Sequence, residues 1–194
     1  MQSFGDIPLQ NRLKRWSRYI AGLILLVAVT VLVGWEFEID LLKSMLSGSK
    51  EMNPAAAVAF IFSGLSFLLL TSTPLSKSKK NIGKLLALFV LLIGGAKLFF
   101  HITGINLYID QLLFPGKIGT DRIVAIASVC FILAGVSLLL VHTKGKSNEM
   151  LSDAILLLLV SLSVFSILGY FFQVNLFYGL FTYVPMAVHA AVCF

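Results

Sequence analysis

Apolar residues run through this chain in long blocks, and short polar stretches separate them. Five blocks reach the roughly 20 residues a helix needs to cross a bilayer core: about 17–36, 54–73, 82–103, 121–142 and 152–172. A sixth opens near Pro185, where proline suits a first helical turn, and offers about ten residues up to Phe194. An apolar helix stopping midway across lipid would strand backbone groups without partners, so the sequence is expected to be a piece of a longer chain. The pattern predicts an all-α fold: a polytopic membrane helical bundle with six transmembrane helices, the sixth incomplete.

Composition strengthens this reading. Hydrophobic residues make up 58% of the chain and charged residues 12%, about half the charged share of a soluble protein. The net charge of +6 is not a nucleic-acid footprint, because no basic face or stacking platform accompanies it. Its charges follow the positive-inside rule instead. Arg12, Lys14, Arg15 and Arg18 precede the first span, Lys77, Lys79, Lys80 and Lys84 fill the second loop, and Lys144 and Lys146 flank His142 in the fourth. Basic residues of the first and third loops (Lys43, Lys50, Lys117, Arg122) are offset by acidic ones, and the fifth loop carries no charge. The N-terminus and loops two and four are therefore expected on the cytoplasmic side. A basic N-terminal segment, 1–16, would precede a membrane domain over 17–194. Cys130 and Cys193 lie within apolar runs and read as small hydrophobes. No cleavable leader is evident, since the first apolar run is too long for one.

The chain also repeats itself. Laying "MNPAAAVAFIFSGLSFLLL" (52–70) over "IVAIASVCFILAGVSLLL" (123–140) and "MAVHAAVCF" (186–194) aligns Phe60, Phe131 and Phe194, with Val58, Val129 and Val192 two positions earlier. Ala57, Ser128 and Ala191 also coincide, as do Gly64 and Gly135. The preceding loops align Asp40 with Asp110, with Gly179 in the third copy. Three helical hairpins are expected, about 17–73, 82–142 and 152–194, each returning through a helix lined with small residues. Such residues let helix backbones approach closely in lipid, so the returning helices are expected to make the inner contacts.

The string "GINLYIDQLLFPGK" (104–117), the opening "MNPAAAVAFIFSG" and the last segment "PMAVHAAVCF" resemble the membrane-spanning N-terminal regions of bacterial sensor histidine kinases. Similar regions precede PAS or diguanylate-cyclase output domains. The likeness covers about 35–194, although the second returning helix opens "GTDRIVAIASVCF" and the third span ends "KLFFH", where the family often has glutamate. The resemblance implies a homodimer in the bacterial inner membrane. It also implies a cytoplasmic output domain after 194 and a response regulator acting through it.

Ionisable groups within spans are costly and point to function. Glu36, Lys97, His101, Arg122, Gln173 and His189 all fall toward the outer ends of their spans, with Trp35, Tyr108, Tyr170, Tyr178 and Tyr183 at the same level. One reading is an interfacial belt in which Lys97 snorkels outward. The sharper reading is an outer-leaflet pocket for a small or amphipathic ligand, framed by His189, His101, Lys97, Glu36, Gln173 and Trp35. Haem held by His101 and His189 is an alternative, without C-x-x-C-H or H-x-x-x-H to support it. Asn53-Pro54 predicts a helix start. Asp121 and Ser152 are expected as caps, Asp40 and Asp110 as braces of the outer loops, and His142 as a solvated residue. No nucleophile, phosphate loop or metalloprotease motif is present, so this chain is not expected to be an enzyme. A sensory input domain is the leading expectation, a small transporter or channel-like protein the rival.

Overall fold

The structure, a computed structural model, describes residues 6–44, 51–105, 123–143, 145–172 and 186–194. Those residues form seven helices and no strand: α1 (Asp6–Glu36), α2 (Asp40–Lys43), α3 (Pro54–Leu70), α4 (Lys77–Thr103), α5 (Ala125–Leu140), α6 (Lys146–Phe172) and α7 (Val188–Cys193). Three stretches are long and apolar enough to cross a membrane: Arg12–Glu36, Lys77–Thr103 and Lys146–Gly169.

The polar segments expected as loops ahead of these spans are helical. Helix α1 begins at Asp6, well before the expected 17; α4 begins at Lys77 rather than 82, and α6 at Lys146 rather than 152. Lysine, arginine and glutamate are good helix formers, so each apolar helix extends through its basic flank. Ser152 is accordingly no cap. It lies inside α6, and its hydroxyl is 3.1 Å from that of Ser137. Asp121 does not cap α5 either, because Val124 holds the N-cap position; Asp121 itself lies outside the described residues.

The returning helices are shorter than expected. The 17 residues of α3 and 16 of α5 span about 25 Å at 1.5 Å per residue, against a core of roughly 30 Å. Local chemistry sets the ends of α3. The Asn53 side chain accepts from Ala55 N at 2.9 Å, and Pro54 follows it in the first turn, as expected. At the other end Thr71 Oγ1 donates to Phe67 O and Ser72 Oγ to Leu69 O, adding side-chain donors to last-turn carbonyls that also accept from Thr71 N and Ser72 N.

Packing follows the small residues. A Cβ added at Gly94 of α4 would come within 2.9 Å of Ser128 O, and one at Gly135 of α5 within 2.9 Å of Leu91 N, so α4 and α5 meet backbone to backbone. Gly64 of α3 makes room for the Leu25 side chain of α1, whose Cγ and Cδ2 would lie 3.0 Å from a Cβ there. Ser66 of α3 reaches onward instead, donating to Gly83 O of α4 at 2.8 Å. At the centre the rings of Phe60, Phe131 and Phe194 meet pairwise, with centroids 4.9, 4.7 and 4.8 Å apart. Rings tilted or edge-on at this spacing contribute beyond simple area burial. The exposed apolar residues of α1, α4 and α6, such as Leu26, Leu92 and Leu157, form the outer wall that lipid would cover.

Candidate functional site

The site builds from the end of α1. Gly34 lacks a side chain where one would strike Leu42, at 2.7 Å from its Cβ, so the short helix α2 folds back against α1. The chain reverses through Glu38, whose φ is +58°, and Ile39 N bonds Gly34 O. Trp35 is thereby roofed over. Its indole Nε1 donates to Met52 O at 2.8 Å, and Met52 N donates to Lys43 O at 2.9 Å. The Lys43 ammonium lies 5.1 Å above the centroid of the Trp35 ring, within cation–π range. It also bonds Asp40 Oδ1 at 2.9 Å. The Asp40 carboxylate holds Lys43 above the ordinary lysine range, against the opposing effect of its burial, with smaller support from Glu51 and Glu38.

His189 lies beneath this cap. It is 4% exposed, and neither ring nitrogen has a hydrogen-bond partner among the described residues. The main chain of Lys43 stands beside the ring without reaching hydrogen-bond geometry. A buried polar group in that condition costs on the order of 1–3 kcal/mol, so the position is strained in hydrogen bonding where an apolar side chain would not be.

Next to it a small cleft, about 20 Å³, opens where the starts of α3, α5 and α7 converge. Its walls are Met52, Asn53 and Ala56, then Ile123, Val124 and Ala127, then Met186, Ala187 and Ala190, with Glu51 at the rim. That volume admits one water or little more.

The expected six-residue pocket is therefore assembled only in part. His189 and Trp35 come together through Lys43, a residue the sequence reading treated as loop charge. Trp35 is no headgroup anchor: it is 3% exposed. Lys97 does not snorkel outward but is 4% exposed, because it continues the inward stripe of Gly83, Ala87, Val90 and Gly94 along α4. Glu36 ends α1 on the exposed surface. His101 is exposed, and its Nε2 lies 2.7 Å from Ile123 O, tying the end of α4 to the start of α5. The two histidines are thus engaged differently, and neither lines the cleft. Gln173, Asp110, Arg122, Tyr108, Tyr178 and Tyr183 lie outside the described residues.

Asp40 does brace its loop, through the Lys43 ion pair. The i, i+3 spacing of the two residues was the available clue to α2 and its salt bridge. No protein-family model, curated protein or solved structure matches this chain.

Proposed function

We propose that this chain is the membrane-embedded sensory input region of a bacterial signalling protein. Six spans, arranged as three hairpins with a cytoplasmic N-terminus, carry a stimulus from the His189 site to a cytoplasmic output region through the helix that α7 opens. In the full-length protein that output would be a histidine kinase, acting as a homodimer on a response regulator.

The observation that carries the functional reading is the partnerless His189 imidazole beneath the α2 cap. Intramembrane ionisable groups mark function by default, and this one has no hydrogen-bond partner among the described residues. The cap is a single four-residue helix, joined to α1 by the Ile39 N–Gly34 O bond and to the start of α3 through the Trp35–Met52 and Met52–Lys43 bonds, and an occupant at His189 would displace it. A stimulus acts only by favouring one packing state over another, and a site at the junction of α7 with α2 is placed to do that.

Several matched positions support the hairpin arrangement. The three walls of the cleft each contribute the residues eight, seven and four places before an aligned phenylalanine. The three aligned phenylalanines meet one another. Gly64 and Gly135 each pack against the preceding long helix, Gly64 on the Leu25 side chain and Gly135 on the Leu91 backbone, while Ser66 and Ser137 each bond the following one. A transport path along the same axis would have to pass the three clustered phenyl rings, which favours the sensory reading over the channel-like one.

The test is the output of the full-length protein carrying His189→Ala or His101→Ala. His189→Ala is expected to shift the signalling level while the protein still inserts and folds. Output unchanged in both variants would overturn the reading.

A further inference from the structure

The opposite end of the bundle carries a second feature, independent of His189. Helix α1 presents Arg12, Lys14, Arg15 and Arg18, all exposed, and α4 begins with exposed Lys77 and half-buried Lys79, Lys80 and Lys84. Two of these cations are anchored on the turn between α3 and α4. Arg18 Nη2 donates to Thr71 O at 3.1 Å, and Lys79 Nζ lies 3.5 Å from Pro74 O. Carbonyls three residues apart are at most about 11 Å apart even on an extended chain, so the α1 and α4 clusters face one another across a short turn.

Depth is marked on the same helix. Trp16 and Tyr19 are 66% and 65% exposed and form an edge-on pair with centroids 6.3 Å apart, as expected of aromatics at headgroup level. From Trp16 to Glu36 the helix rises about 30 Å at 1.5 Å per residue, the thickness of a hydrocarbon core. Arg15 therefore stands at the edge of such a core and Arg18 about 3 Å inside it, within reach of lipid phosphates for a long side chain that extends outward. The distribution is also lopsided. Helix α6 starts with Lys146 but adds Glu149 and Asp153, all exposed, so among the described residues the positive charge is concentrated at the α1–α4 corner.

We propose that the cations flanking the 71–76 turn, Arg15 and Arg18 on α1 with Lys79 and Lys80 on α4, hold the phosphate headgroup of an anionic phospholipid. One nitrogen of Arg18 is committed to Thr71, and the remaining guanidinium donors face outward, suited to a phosphate oxygen pair. Lys79 and Lys80 supply compact charges from the other side. The exposed aromatic pair provides the apolar wall against which the lipid's glycerol and upper chain would lie.

The experiment uses the chain reconstituted in phosphatidylcholine vesicles, in a Trp35→Phe background that leaves Trp16 as the reporter. Brominated phosphatidylglycerol and brominated phosphatidylcholine are compared as quenchers of Trp16. The expected result is a preference for phosphatidylglycerol of tenfold or more, since each Lys or Arg near an anionic headgroup contributes about fivefold. Arg18→Gln with Lys79→Gln should bring the ratio close to one. Arg15→Gln with Lys80→Gln, neither of which holds a carbonyl among the described residues, should lower it severalfold without disturbing the turn. Lys146→Gln should leave it unchanged. Equal quenching by the two lipids, or a preference that survives both double variants, would overturn the proposal. So would loss of the preference on adding inorganic phosphate at constant ionic strength, since the site would then be one for soluble phosphate.

Discussion

The two ends of the bundle handle polar groups in opposite ways. At the end carrying residues 71–76 and 141–143, basic side chains are near the surface and complete the backbone. Arg18 donates to Thr71 O, and the exposed His142 lies 2.7 Å from Leu70 O, so two residues from other parts of the chain satisfy the last carbonyls of α3, where cations are favoured. At the end carrying α2, three ionisable side chains are buried: Lys43, Lys97 and His189 are each under 10% exposed, and the imidazole has no hydrogen-bond partner among the described residues. The first end resembles a finished joint. The second keeps an unspent hydrogen-bonding group under a light cover, which is the condition expected where something else is to bind.

Between the ends lies the part both depend on, and its removal should have the largest effect. Phe131→Ala, at 0% exposure and in contact with two other rings, should lower stability by about 3–5 kcal/mol in detergent-driven unfolding followed by circular dichroism. Phe194→Ala should cost less, because that ring is only partly buried. Equal losses would mean the third ring is as central as the second.

The helix contacts sharpen the comparison next. Gly135→Ala places a Cβ 2.9 Å from the Leu91 backbone and should cost roughly 1–3 kcal/mol. Gly95→Ala meets nothing within 4 Å and should be neutral or stabilising by up to about 1 kcal/mol. If the two glycines respond alike, the close approach of α4 and α5 is not what holds the pair together.

Smaller effects belong to the cap. Trp35→Phe removes the donor to Met52 O and should cost about 1 kcal/mol, seen as faster proteolysis of the 36–53 segment with no change at the opposite end. The pH dependence is smaller still. Lys43 titrates above its ordinary value of 10.5 when folded, so its contribution is complete below that value and fades as pH rises through the raised folded value. Asp40→Asn should remove this alkaline component, and an unchanged alkaline unfolding profile would show that the ion pair does not brace the cap.

Much of this was legible in the chain. Five apolar blocks marked α1, α3, α4, α5 and α6, although only three of these helices are long enough to cross a membrane; the Asn53-Pro54 start was visible as a cap, and the three aligned phenylalanines are residues that meet at the centre. Helix boundaries were not, because hydropathy ends where charge begins while helix propensity does not. That is why α6 starts six residues before Ser152. The inward position of Lys97 could have been read from the Gly83, Ala87, Val90, Gly94 stripe, but its charge argued for the surface. The cap was beyond reach, since Trp35, Lys43 and Met52 come together only through the reversal at Glu38 and the missing side chain of Gly34. Its consequence, an imidazole roofed over by a residue far away in sequence, could not be seen from His189 and its neighbours alone.

The central claim is that His189 is kept for binding and not for packing. The most direct measurement is the unfolding free energy of His189→Leu against the unchanged chain in the same detergent. Replacing a partnerless buried imidazole with an apolar side chain of similar size should raise stability, by about 1–3 kcal/mol. A fall of similar size would show that the ring is a satisfied structural group and would contradict the account.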